Sequence, residues 1–208
     1  MPLQDRKNHW ENIYQTKSLE EVSWYQPTPE TSLALIKEFD LPKSAKIIDI
    51  GAGDSFLVDH LLDLGFVNIT ILDISASAIE RAKQRLGNKS ANIKWIVADA
   101  SDFQPKEQYD FWHDRAAFHF LTADKEIDNY IQTAANAVSK NGIMVIGTFS
   151  EQGPKKCSGI EIQQYSESTL VSRFLKHFEK IECFTIDHKT PFDTVQNFVF
   201  CSFKRKND

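Results

Sequence analysis

Short apolar runs alternate with amphipathic stretches along this chain. KIIDI (46–50), VNITILD (67–73), IKWIVAD (93–99), YDFWH (109–113) and IMVIGTF (143–149) have the near-continuous apolar character of strands buried on both faces. The stretches between them have helical spacing. Leu57, Val58, Leu61 and Leu62 share one face and stop at Gly65, and Ser75 or Ser77 opens a helix reaching about Leu86. Ile127, Tyr130, Ile131, Ala134 and Val138 mark another helix, expected to end at Asn141-Gly142, and a further helix is predicted near 166–177. Upstream, Thr28-Pro29-Glu30 reads as a cap, a first-turn proline and a first-turn acid for a helix running to about Asp40. Strand alternating with helix predicts an α/β sandwich around a mostly parallel sheet. The last two β-rich segments, 180–187 and 195–203, are joined by too short a link for a parallel crossover and should pair antiparallel.

Composition changes this picture little. The 208 residues are 41% apolar and 25% charged, which fits one ordinary domain and excludes wholesale disorder. A net charge of −5 argues against a nucleic-acid partner, which needs a basic footprint. Cys157, Cys183 and Cys201 form no metal-type or disulfide-framework spacing, so neither a zinc site nor a disulfide is expected and a reducing compartment fits. MPLQDRKNHWENIYQ has no apolar core of a secretory signal, and no run is long enough for a membrane span. The expectation is a cytoplasmic protein, monomeric or weakly dimeric, with no membrane partner.

Candidate chemistry gathers where strands end, the place where open α/β sheets bind ligands. Asp49-Ile50-Gly51-Ala52-Gly53-Asp54-Ser55 lies between a strand and a helix, so its glycines allow close backbone approach and the helix start offers free N–H groups. Asp73, 20 residues after Gly53, is placed to take both hydroxyls of a ribose. Asp99 is placed to accept from an adenine amine, and His113-Asp114-Arg115 follows the fourth strand. These features describe an adenosine-shaped slot. A dinucleotide turn wants glycine where Phe56 stands, and no nucleoside-triphosphate loop motif occurs.

IIDIGAGDS, TILDIS and VADA, in this order and spacing, resemble the first three motifs of the class I S-adenosylmethionine-dependent methyltransferases, over roughly residues 45–150. HWENIYQ, VSWYQ and HDRAAFHF are similar to lid and acceptor segments of two groups. One comprises small bacterial members with no assigned acceptor, the other the elongation-factor lysine methyltransferases, which carry Asp-Lys-Gly-Thr where this chain has Asp114-Arg115-Ala116-Ala117. The resemblance implies a doubly wound, Rossmann-like, seven-stranded sheet, mostly parallel with a closing antiparallel strand, in a three-layer sandwich. It implies one methyltransferase domain over 1–208, with 1–40 as a lid or cap and 41–208 as the cofactor-binding core. It implies S-adenosylmethionine as cofactor, with Gly51, Ala52 and Gly53 beside its methionine part, Asp49 organising the loop, Asp73 on the ribose, Ile74 against adenine, Asp99 with Ala100 on the adenine edge, and His113 alongside. The acceptor would be a small molecule or a protein side chain such as lysine.

Tyr25, Asp114 and His119 are the candidate catalytic residues, with His119 as a general base and Trp24, Tyr25 and 113–119 forming the acceptor wall. The bland alternative for His119 is a histidine packed among its phenylalanine neighbours. No metal site is expected from His113, Asp114 and His119. Trp10, Tyr14 and Trp24 read equally as a lid over the cofactor mouth or as anchors on the far side of the sheet. The competing function is a cofactor-binding regulatory module with no transfer activity. No [DNS]-P-P-[YF] tract, Pro-Cys pair or paired-Glu loop is present, which disfavours methylation of DNA amines, cytosine C5 and arginine.

Overall fold

The computed structural model describes residues 3–207. Seven strands form one sheet: β1 (Lys46–Ile50), β2 (Asn68–Asp73), β3 (Ile93–Val97), β4 (Tyr109–Arg115), β5 (Val138–Phe149), β6 (Phe178–Lys189) and β7 (Val195–Arg205). Their spatial order is β3-β2-β1-β4-β5-β7-β6. β7 runs antiparallel to both β5 and β6, and the other pairings are parallel. Among the described residues, six α-helices accompany the sheet: α1 (Leu3–Thr16), α2 (Glu30–Glu38), α3 (Leu57–Asp63), α4 (Ala76–Leu86), α5 (Asp124–Ala137) and α6 (Glu167–Phe174). A small hairpin, Lys156–Cys157 with Ile160–Glu161, follows β5.

Alternation along each strand divides the core. Ile48, Ile50, Trp112, Met144, Ile146, Val199, Cys201 and Phe203 pack against α5 and α6 through Tyr130, Ala134, Leu170 and Phe174. Ile47, Phe111, Val145, Phe198 and Phe200 pack against α2 and α3 through Leu33, Ile36, Leu57 and Leu61. These are the two faces that make the parallel strands read as unbroken apolar runs. Asp49 lies on the α2 face, because its neighbours Ile48 and Ile50 both point toward α5.

Local chemistry fixes the ends of the elements. Ser75 caps α4, its hydroxyl accepting from the Ala78 N–H at 3.1 Å. α2 begins one residue later than expected, with Pro29 in the cap position, and closes at Asp40, whose φ is 44°. The Asn141-Gly142 pair does not end α5. The chain leaves the helix at Val138, which pairs with Tyr109, and Asn141 at φ 62° forms an irregularity within β5.

One expectation is overturned. Cys183 and Cys201 form a disulfide, and only Cys157 is free. The β6–β7 register sets the two cysteines directly opposite each other. A separation of 18 residues carries no such signal without that register. The expectation of a reducing compartment loses the support it drew from the cysteines. Among the described residues, no helix is long and apolar enough to cross a membrane.

Denatured without reductant, the protein should therefore expose one titratable thiol, and after reduction all three. Three thiols before reduction would contradict the pairing. Closing a loop of this size predicts that the Cys183→Ser, Cys201→Ser double variant loses about 3 kcal/mol of stability, measurable by chemical denaturation.

Candidate active site

A cavity runs along the C-terminal ends of the strands, from Ala98, Asp99 and Ala100 after β3 to Gln196 and Phe198 on β7. Asp49, Gly51, Ala52, Asp73, Ile74, His113 and Tyr25 line it as well. The glycine turn is held in a shape that side chains resist. Gly51 and Gly53 have φ of 62° and 56°, a region costly for residues with a Cβ. A Cβ on Gly51 would fall 2.4 Å from the Ala117 Cβ, and one on Gly53 would fall 2.2 Å from the Tyr14 hydroxyl.

Asp73 closes this turn. Its Oδ2 accepts from the Gly53 N–H at 2.7 Å and its Oδ1 from the Ser75 N–H at 2.8 Å. Each oxygen keeps a further acceptor site toward the cavity, as a pair of ribose hydroxyls requires. Burial pushes the carboxyl up to about 7, against the pull of the two N–H donors. Asp49 is paired differently. The β1–β4 register puts it opposite His113, whose Nδ1 donates to Asp49 Oδ1 at 2.6 Å while Nε2 lies 2.9 Å from the Ser32 hydroxyl. The orientation of the His113 ring is thus fixed by groups on both sides.

Asp99 departs from the expectation. Its Oδ2 accepts from Arg6 Nε at 2.9 Å and faces Arg6 Nη2 at 2.7 Å, and its Oδ1 accepts from the N–H and hydroxyl of Ser101. A carboxylate offers about four acceptor sites, and here all are in use, so direct capture of an adenine amine is not available with Arg6 in place. Arg6 was not foreseen. It lies on α1 at positions 6, 10, 13 and 14 with Trp10, Ile13 and Tyr14, an apolar stripe at helical spacing carrying one cation. That charge within an apolar stripe was the available signal.

α1 and the segment after it wall the cavity, rather than packing on the sheet's far side. Trp10 meets Phe120 at 5.0 Å and Trp24 at 5.6 Å between ring centroids, and Tyr25 meets Phe56 at 6.1 Å. Two polar contacts seat the helix. The Glu11 carboxylate accepts from the Ala76 and Ser77 N–H groups at 2.7 and 3.1 Å, so it caps α4 from another element. Arg81 on α4 donates to the Tyr14 and Lys17 carbonyls at the end of α1, at 3.0 and 2.7 Å.

Two catalytic candidates are corrected. Asp114 points to the α5 side, where its Oδ1 accepts from the Ala117 and Phe118 N–H groups and its Oδ2 from the Tyr130 hydroxyl at 2.6 Å. It is fully buried and pins the turn after β4, with burial raising its carboxyl to about 6. His119 is also fully buried, between the rings of Phe120 and Phe149, and its Nδ1 accepts from the Phe149 N–H at 3.3 Å. Burial, then the charge of Arg115, holds it down at about 3. Neither lines the cavity, so neither reaches a substrate there. Cys157 lines it as a neutral thiol, raised to about 11 by burial. Among the described residues, no three His, Cys, Asp or Glu side chains are placed to hold a metal.

The raised Asp73 carboxyl has a consequence for stability. Between its ordinary value near 3.8 and about 7, the native state binds more protons than the unfolded chain, so this group destabilises increasingly as pH rises. The stability of Asp73→Asn relative to wild type should climb by a few kcal/mol from about pH 4 to about pH 7, then level off. Denaturation curves at a series of pH values check this, and a constant difference would contradict it.

Residues 47–142 match a methyltransferase domain family. A malonyl-[acyl-carrier protein] O-methyltransferase of Anoxybacillus flavithermus is 34% identical over 120 residues, 57% of this chain and 44% of the relative. The eEF1A lysine and N-terminal methyltransferase of Mus musculus is 27% identical over 120 residues, covering 57% of this chain and 17% of the relative. The chain thus spans less than half the length of these two relatives. Among solved structures, one concerning the conversion of a disulfide bond into a thioacetal group during echinomycin biosynthesis aligns with a TM-score of 0.79 at 20% identity, covering 96% of this chain and 93% of that one. The N-methyltransferase NodS of Bradyrhizobium japonicum, bound to S-adenosyl-L-homocysteine, aligns with a TM-score of 0.70 at 13% identity, covering 96% of this chain and all of the other. The strand order and the glycine turn closed by Asp73 agree with these matches: over residues 47–142 the chain is similar to the class I S-adenosylmethionine-dependent methyltransferases, and it shares the fold of the solved structures.

Proposed function

We propose that this protein transfers the methyl group of S-adenosylmethionine to a small molecule or protein side chain entering the β4–β5–β7 end of the cavity. The observation that carries this reading is one continuous cavity holding the glycine turn and Asp73 at one end, and Arg115, Cys157 and Phe198 at the other. A module that only bound the cofactor would have no need of that second end.

The residues fit the cofactor. Asp73 would take the ribose hydroxyls, Ile74, Ala98, Ala100 and Leu121 would pack the adenine, and the Gly51–Gly53 turn with Asp49 and His113 would hold the methionine part. When bound, the sulfonium supplies an electrophilic methyl with a thioether as leaving group. The chain contributes position: fixed placement of acceptor and cofactor supplies about 7–11 kcal/mol of the barrier in well-oriented reactions. Trp10, Tyr14, Trp24 and Tyr25, which line the cavity, would exclude water from the methyl carbon of a bound cofactor.

The cavity offers little general base. Asp49 is bound to His113, Asp99 to Arg6 and Ser101, and Asp73 to the glycine turn. This favours an acceptor whose lone pair is free near neutral pH without proton removal.

Calorimetry should show binding of S-adenosylmethionine and S-adenosylhomocysteine, and not of NAD. Asp73→Ala should weaken either adenosyl ligand at least tenfold while the fold survives, from loss of charge-assisted hydrogen bonds of about 1.5–3 kcal/mol. Tighter binding of NAD, or an unchanged affinity in folded Asp73→Ala, would refute the assignment. Labelled methyl from the cofactor, followed into protein and small-molecule fractions, identifies the acceptor class.

A further inference from the structure

Arg115 is a cation with no ion-pair partner in contact; the buried Asp49 carboxylate favours its charge only from a longer distance. It stands at the end of β4 on the α2 face and lines the cavity. Its Nη1 donates to the Trp24 carbonyl at 3.3 Å, while Nη2 is sealed from solvent and has no hydrogen-bond partner. No carboxylate forms a salt bridge with it among the described residues, whereas Arg6, Arg81 and Arg85 each have at least one. A charge taken out of water without a contacting partner is costly, and removal of its solvation pulls the guanidinium down to about 10 against the opposing pull of Asp49. Nearby His119 and His188 are held low chiefly by burial and then by the charge of Arg115, so they stay neutral and leave that charge in place.

The direction of the side chain tells which ligand meets it. From β4 the guanidinium lies over the ring of Phe198 on β7, 5.0 Å from its centroid. It therefore leans from β4 across β5 toward β7, in the direction away from β1 and β2, where Asp73 and the glycine turn mark the cofactor end. Gln196 precedes Phe198 by two positions on the same face of β7, lines the cavity and has its Oε1 buried without a partner. Around these two polar groups stand Trp24, Phe149, Cys157 and Phe198.

We infer that Arg115, with Gln196 beside it, anchors an acceptor bearing a carboxylate on an apolar body. The guanidinium fork matches a carboxylate, and the Gln196 amide, flipped so that its nitrogen takes the place of the unpartnered oxygen, can donate to the same group. The inference rests on the methyl-transfer reading for the word acceptor, and on geometry alone for the carboxylate.

The test is titration of S-adenosylhomocysteine-loaded protein with phenylacetate, 4-hydroxybenzoate and octanoate, each against its own amide. At least one acid should bind about tenfold or more tighter than its amide, the scale of a charge-assisted pair. Arg115→Gln should erase that preference and leave the affinity for S-adenosylhomocysteine within about twofold, and Gln196→Leu should reduce the preference, giving a second reading if Arg115→Gln does not fold. Equal binding of acids and amides, or no binding of any acid, overturns the inference. So does an Arg115→Gln variant that keeps the preference but loses S-adenosylhomocysteine, because the cation then belongs to the cofactor's own carboxylate. If wild-type protein binds no S-adenosylhomocysteine, the same titration on the free protein still reads Arg115. A preference for acids there supports the anchor, and only the transfer reading falls.

Discussion

The ion pair between Arg6 and Asp99 ties the amino-terminal helix to the edge of the sheet, and the shape of the cavity depends on it. The two residues are 93 positions apart, both buried, and Glu126 of α5 braces the same guanidinium at 3.1 Å. A buried ion pair is costly to break from one side only, because the remaining charge is stranded. Glu11 and Arg81 lock the other end of α1 onto α4. With both ends fixed, Tyr14 is held against the glycine turn and Trp10 in the wall beside Trp24 and Phe120. The cofactor end and the acceptor end then share one walled space.

That arrangement gives each acid at the strand ends a separate task. Asp73 shapes the turn and keeps acceptor sites toward the cavity, and its burial makes its proton labile near neutrality. Asp49 fixes a histidine. Asp99 holds the helix. Asp114, next in sequence to His113, points the opposite way because side chains alternate along a strand, and it serves the turn after β4 rather than the chemistry.

Local features were legible in the sequence. The parallel strands announced themselves as apolar runs because both faces are covered, and the glycine turn and Asp73 were readable because turn, strand end and 20-residue spacing are contiguous. Long-range pairings were not. The partner of Arg6, the disulfide between Cys183 and Cys201, and the inward packing of His119 depend on which elements meet, and on register within one residue. His119 sits in a motif that invites a catalytic role, yet the short helical turn at Phe118–Phe120 rotates its ring into the core beside Phe149. Arg115 was visible as a residue, but its unpartnered Nη2 and the absence of a contacting carboxylate show only once its surroundings are assembled.

The dependence of the closed cavity on Arg6 and Asp99 is tested most directly by hydrogen exchange across residues 8–27, in wild type and in Arg6→Ala, with and without S-adenosylhomocysteine. The account predicts slow exchange in wild type, slower still with ligand beneath the helix, and markedly faster exchange in ligand-free Arg6→Ala, partly restored by the ligand. Equal exchange in all four samples would show that the segment is a static anchor, held by its aromatic contacts alone, and would contradict the account.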